Sequence, residues 1–162
     1  MVGARAKGYA VGMYTKIVER ICRKAFLAVN RQDYEVLLSM CDPHIKHRFG
    51  GSHALGGTRH TRDDLRRWFQ RLGRIVPSLT LTIEDIWVKG GRWKTTAIVR
   101  WTSTGTPLDG GPYSNHGVHI VELRWGKAVS IDANEDSQAV ADLLRRQAVY
   151  GIEEAAAPAI QS

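Results

Sequence analysis

Apolar residues recur at helical spacing between Gly12 and Asn30, where Ile17, Val18, Ile21, Cys22, Ala25, Phe26 and Val29 share a face. A shorter helix is expected over DYEVLLSMC, with Asp33 as N-cap and Tyr34, Leu37, Leu38 and Cys41 turned inward. Asp42-Pro43 should stop it, because proline restricts the residue before it. HIKHRF then alternates and predicts a strand, and SHALGGTRH reads as a Gly-rich loop. Thr61 and Asp64 resemble a capping box for a third helix, which carries Leu65, Trp68, Phe69 and Leu72 on one face and ends at Pro77.

The second half changes period. Three long strands are expected, near Leu79 to Val88, Trp93 to Ser103 and Tyr113 to Trp125, with a shorter one from Lys127 to Ala133. Gly90-Gly91 and Gly126-Lys127 are turn candidates between neighbours, so these strands should pair antiparallel. DSQAVADLLRRQAVYG predicts a final helix with Asp136 or Ser137 as N-cap. Helices set apart from an antiparallel meander give an α+β fold, in which a strongly curved sheet wrapped on helices leaves a concave interior. Residues 1–11 read as a loose N-terminal arm, residues 12–150 as the domain, and residues 151–162 as an extended tail.

Period-2 alternation assigns the faces of the strands. Val121, Leu123 and Trp125 share one face, and extending it backwards brings in His119, Gly117 and Asn115. Ile45, His47 and Phe49 share a face, as do Ala97, Val99, Trp101 and Ser103. His47, His119 and Asn115 are therefore expected to look into the concavity, with Trp101 and Phe49 as walls. Buried polar groups without partners cost roughly 1–3 kcal/mol each, so three of them suggest a hydrated or ligand-filled space. Packing offers the plainer account of each: a lone inward histidine satisfied in the core, and an Asn115 that bonds only backbone at the start of its strand. His53, in the Gly-rich loop, is placed to reach the pocket rim, whereas His60 reads as a loop residue before the helix cap and His116 as facing solvent.

Composition narrows the class further. The 162 residues suit one domain, with 43% hydrophobic and 24% charged residues, as in ordinary soluble proteins. No apolar run approaches membrane-spanning length, and a cytoplasmic protein without membrane association is expected. Cys22 and Cys41 lie in apolar helical patterns, without the Cys-x-x-Cys spacing of a zinc site, and no metal is expected. A net charge of +7 raises the question of nucleic acid. Arg62, Arg66, Arg67, Arg71 and Arg74, however, fall on a helix whose other face is apolar, and no basic-aromatic strand platform accompanies them. No nucleic-acid partner is expected.

The stretches HIKHRFGGSHALGGTRHTRDDLRRWFQRL and PYSNHGVHIVELRWGKAVSIDANEDSQAVADLL resemble the SnoaL-like polyketide cyclase group of the nuclear transport factor 2-like superfamily. The resemblance covers about residues 12 to 150. It implies a cone-shaped bent sheet around a helix, a deep apolar pocket, homodimers, and chemistry without a metal or organic cofactor. In cyclases of this group an acid after the last long strand serves as acid/base in an intramolecular aldol closure beside a pocket histidine. By position Asp136 matches that acid and His119 that histidine. Asp132 and Glu135 are neighbours in the same stretch, and Asp136 equally suits an N-cap. The resemblance also implies a hydrophobic or aromatic substrate, against which Trp68, Trp87 and Trp101 would be flat walls.

Relatives on the same fold fit less closely. The ketosteroid isomerase pattern wants a carboxylate on the strand that here reads HIKHRF, and the epoxide hydrolase pattern wants an Arg-x-Asp that these strands lack. A dehydratase using two histidines and an asparagine remains conceivable with His47, His119 and Asn115. The contrasting class is a non-catalytic ligand-binding or dimeric interaction domain.

Overall fold

A six-stranded sheet is wrapped by four α-helices in the computed structural model, which describes the backbone of residues 4–162 and side chains from residue 12. Helix α1 (Ala4–Asn30) precedes α2 (Tyr34–Ser39), β1 (Cys41–Phe49), β2 (Gly57–Arg59) and α3 (Arg62–Ile75). Strands β3 (Thr80–Gly91), β4 (Lys94–Gly105), β5 (Tyr113–Arg124) and β6 (Lys127–Glu135) follow, then α4 (Ser137–Tyr150) and a 3-10 turn at Glu153–Ala156. The α+β class is as expected. The helix expected to start at Gly12 starts at Ala4, so the loose arm placed over residues 1–11 is helical from there, and residues 1–3 lie outside the described residues. Ala, Arg and Lys are good helix formers, and extending an existing helix avoids a new nucleation cost.

The strand order is β2-β1-β6-β5-β4-β3. The meander β3 to β6 is antiparallel, but β1 lies parallel to β6. The expected all-antiparallel sheet is thus corrected at one seam, where two strands distant in sequence meet without a hairpin. The segment read as a Gly-rich loop contains β2, whose Arg59 pairs with His47 of β1. The hairpin turns also sit one or two residues from their expected places. Gly91 pairs with Lys94, and Arg124 pairs with Lys127 across Trp125-Gly126, both at positive φ of 52° and 77° as a type I′ turn requires.

Helix α1 crosses the concave face, and its end is fastened to the sheet edge. Asn30 donates to Leu81 O at 2.9 Å and accepts from Leu81 N at 2.8 Å. One apolar cluster, with Leu38, Ile45, Leu65, Trp68 and Leu143, fills the α2, α3, α4 end. A second, with Val18, Cys22, Phe26, Val99, Trp101 and Leu123, lies under α1. The tail is extended past Ala156 and docks beside β2. Ser162 N donates to Thr58 O at 3.1 Å, and Arg71 donates to Pro158 O at 2.8 Å. The α3 arginines are engaged locally, Arg66 with Glu35, Arg67 with Asp64 and Arg74 with Glu154. No helix of the described residues is long and apolar enough to cross a membrane.

Candidate active site

Where the two apolar clusters meet, the core leaves a cavity of about 130 Å³ between α1, α3, α4 and the inner face of the sheet. Its walls are largely aromatic and aliphatic, including Phe26, Phe49, Trp68, Phe69 and Trp101. The polar groups that reach it are His47, Ser103, Tyr113, Asn115, His119 and Glu135. Strand register explains the assembly. His119 pairs with Val99 of β4 and Ala133 of β6, while Glu135 of β6 pairs with Gly117 of β5. Glu135 is therefore the diagonal neighbour of His119 on the inner face, about 7–8 Å away between backbones.

The two histidines differ in support. His47 is 3% exposed, and its Nδ1 lies 2.8 Å from Arg59 Nη1. Desolvation, then the charges of Arg59 and His119, hold it well below its ordinary pKa. His119 sits between Phe26 and Trp101, with ring centroids at 5.5 and 5.2 Å. Burial lowers its pKa to about 4, partly opposed by Asp132. Both rings are neutral at neutral pH.

The carboxylate in the cavity is Glu135. Ser137 Oγ donates to its Oε1 at 2.9 Å, while Oε2 is buried without a partner. Desolvation raises its pKa, against the pull of Ser137, backbone N–H groups including Gly50, and Arg48. Asp136, the acid expected by position, turns elsewhere: its Oδ1 accepts from Gln138 N at 3.0 Å and Ala139 N at 3.2 Å as the N-cap of α4. It is exposed and does not line the cavity. The physical reason is that β6 keeps its alternation through Ile131, Ala133 and Glu135, so the next residue begins the helix instead of facing the core. Asp132 is on the outer face and pairs with Arg48 at 2.6 Å.

Of the expected wall residues, His47, Phe49, Trp68, Trp101 and Asn115 line the cavity. Asn115 is fully engaged: its Oδ1 accepts from His116 N and Asp136 N, and its Nδ2 donates to Asp136 O and Tyr113 Oη. It fastens the start of β5 to the end of β6. The bond from Asn115 leaves the Tyr113 hydroxyl hydrogen free to donate. His53 lies one layer out, edge-on to Phe49 with centroids 6.3 Å apart and both ring nitrogens unpartnered. Trp87 is a correction: it lies on the outer face, 47% exposed beneath Arg100. A bulge between Ile83 and Asp85 shifts the alternation by one residue, which sends Trp87 outward.

Sequence reading names Glu135 only as a neighbour of Asp136 and gives no sign of a role for Tyr113 or Arg59. Glu135 could have been found by continuing the β6 alternation, and Tyr113 by continuing that of β5 backwards. Among the described residues no group of three or more His, Cys, Asp or Glu is arranged to hold a metal ion.

Comparison with known proteins gives a consistent relationship. A family model described as SnoaL-like domain matches residues 22–131. A nuclear transport factor 2-like protein of unknown function from Burkholderia pseudomallei superposes with a TM-score of 0.70 at 19% identity, covering 78% of this chain and 96% of that one. TerC, co-crystallised with polyporic acid, gives 0.69 at 20% identity over 78% and 97%. A candidate polyketide cyclase from Xanthomonas campestris pv. campestris gives 0.56 at 15% identity over 74% and 90%. At these identities the likeness establishes fold alone. No curated protein matches the chain.

Proposed function

The chain belongs to the SnoaL-like domain family, and from that membership we propose that it is a cofactor-independent acid/base enzyme acting on an apolar carbonyl compound. The observation that carries this reading is the buried, unpartnered Oε2 of Glu135 at a cavity whose walls are largely apolar. An acid held there with a raised pKa can take a proton from the carbon beside a carbonyl and return it to a developing alkoxide. That is the exchange an intramolecular aldol closure needs. Neutral His119, diagonal to Glu135, shares the proton handling, and Tyr113 supplies a further O–H donor. Well-placed acid/base groups contribute about 10²–10⁴-fold to rate.

The cavity volume points to a compact substrate. An engineered cavity of about 150 Å³ in another protein holds one benzene ring, so about 130 Å³ suits a single ring or its aliphatic equivalent. Larger polycyclic compounds would require the walls to move. Support for an organic ligand on this fold comes from TerC with polyporic acid and from the candidate polyketide cyclase.

The test is deuterium exchange beside the carbonyl of a panel of single-ring ketones and β-diketones, followed by NMR. Exchange catalysed by the wild type should fall about 10²-fold or more in Glu135→Gln and persist in Asp136→Ala. Undiminished exchange in Glu135→Gln overturns the assignment.

A further inference from the structure

Arg59 is a buried cation with no acid in direct contact; Asp64 acts on it only from a distance. The exposure of Arg59 is 0%, and it takes part in none of the ion pairs of the described residues. Buried charges ordinarily have a charged partner, because losing hydration uncompensated is costly. Arg59 instead donates to neutral acceptors: Nε to Ile160 O at 2.7 Å, Nη2 to Gly56 O, and Nη1 to His47 Nδ1 at 2.8 Å. Its guanidinium also lies 5.3 Å from the centroid of the Trp68 ring.

The third contact determines the state of His47. A guanidinium has donors and no acceptor, so Nδ1 must present its lone pair. The ring is therefore neutral, with its hydrogen on Nε2. Trp68 and Phe69 of α3 pack on the ring with centroids at 4.7 and 6.3 Å. Besides Arg59 of β2, the titratable group that acts on it is His119 of β5. His47 Nε2 has no hydrogen-bond partner among the described residues, and the residue lines the cavity.

We propose that Arg59 is a positioning residue that holds His47 as a neutral Nε2–H donor toward the oxygen that turns negative during the reaction. The inference rests on the acid/base reading above. The C–H bond beside the substrate carbonyl breaks, its proton passes to Glu135 Oε2, and the electron pair moves onto the carbonyl oxygen. His47 Nε2–H receives that enolate oxygen. The guanidinium behind the ring adds a positive field in a water-poor site, where such stabilisation is strongest.

Two measurements test it on the full-length protein. Long-range ¹H–¹⁵N correlation spectra report which ring nitrogen carries the hydrogen. His47 is expected to show a bare Nδ1 and a protonated Nε2 at neutral pH. Arg59→Gln, which keeps a donor without the charge, should retain that tautomer, while Arg59→Met should mix the two. A hydrogen on Nδ1, or an imidazolium at neutral pH, in the wild type overturns the proposal without recourse to any variant. 4-Nitrophenol, a single ring whose anion absorbs distinctly, probes the oxygen site. The phenolate is expected to bind in preference to the phenol, and about tenfold or more weakly in His47→Phe, as for loss of a bond to a charged group. Binding of the neutral phenol alone, or none, overturns the oxygen role. Failure of the acid/base reading would appear instead as undiminished carbon-acid exchange in Glu135→Gln, with the His47 spectrum unchanged.

Discussion

Trp101 on β4 lies directly opposite Gly117 on β5, and its indole occupies the space a side chain at Gly117 would need. A Cβ built there would clash with Asn134 O and fall 2.8 Å from Trp101 Cζ2 and 3.0 Å from Glu135 Cα. The missing side chain thus lets an aromatic wall lie flat across the sheet beside the strand that carries the acid. Trp101 Nε1–H remains buried without a partner at this seam.

Gly117→Ala is accordingly expected to destabilise the fold by about 1–3 kcal/mol, the usual cost of overpacking a filled core. Urea denaturation with an unchanged slope would measure it. Trp101→Phe removes the ring contact but leaves the Asn134 carbonyl in place, so the double variant should recover only part of the loss, and a fully additive double variant would assign it to the backbone contact alone.

Gly50 stands against the acid in the same way. A Cβ there would be 2.7 Å from both Glu135 Oε1 and Ser137 Oγ. Gly50→Ala should push the carboxylate off Ser137 and lower carbon-acid exchange severalfold or more, since displacement by about 1 Å can cost up to 10²-fold. Ser137→Ala leaves the space open and should instead raise the Glu135 pKa, moving the acidic limb of the pH-rate profile upward. Equal activity in Gly50→Ala and the wild type would show that the carboxylate position is not critical.

These glycines show what the sequence conceals and what it reveals. The inner face of β5 is legible because alternation runs unbroken from Asn115 to Leu123, and it places His119 and Asn115 correctly at the cavity. The same rule applied to β6 reaches Glu135. Position relative to the family's acid points to Asp136, one residue past the carboxylate that lines the cavity, because a good N-cap and a general acid draw on the same residue type. Trp87 is misplaced by a bulge that leaves no mark on composition. Arg59 stays hidden because a three-residue strand that follows Gly56 and itself begins with glycine offers too little alternation to read. Its partners Gly56, His47 and Ile160 come together only through the sheet and the docked tail.

Acid should weaken the fold through His119. Its folded pKa of about 4 lies below the ordinary 6.5, so the unfolded chain binds more protons between those values. Its contribution is present above pH 6.5 and is lost as pH falls through 6.5 toward 4, on the order of 3 kcal/mol in total. His47, also depressed, acts in the same direction. Glu135, whose pKa is raised, acts oppositely and gains stability as it takes up its proton. Urea midpoints at pH 7 and pH 4.5 should therefore fall in acid, and His119→Gln should flatten part of the slope. An identical slope in that variant would remove His119 from the account.

Asp136 separates stability from chemistry. As N-cap it bonds two backbone N–H groups of α4, so Asp136→Ala should cost about 1 kcal/mol. Asp136→Asn or Asp136→Ser, which also cap, should recover most of it. None of the three should change exchange at the carbon acid. A large loss of activity with retained stability in Asp136→Asn would return the acid to the position first expected.

The tail offers the last check on how the buried cation is held. Arg59 Nε donates to Ile160 O, Arg71 to Pro158 O, and the His60 backbone N–H to Ser162 Oγ at 2.9 Å. Ending the chain at Ala157 removes these acceptors together. For Arg59 alone, leaving a buried donor unmatched costs on the order of 1–3 kcal/mol. The shortened chain should therefore unfold at lower urea, while Arg59→Met should lose less from the same truncation than the wild type does. That non-additivity is the signature of a shared contact. An unchanged midpoint on truncation would mean that solvent serves Arg59 as well as Ile160 does, and that the tail is no part of its support.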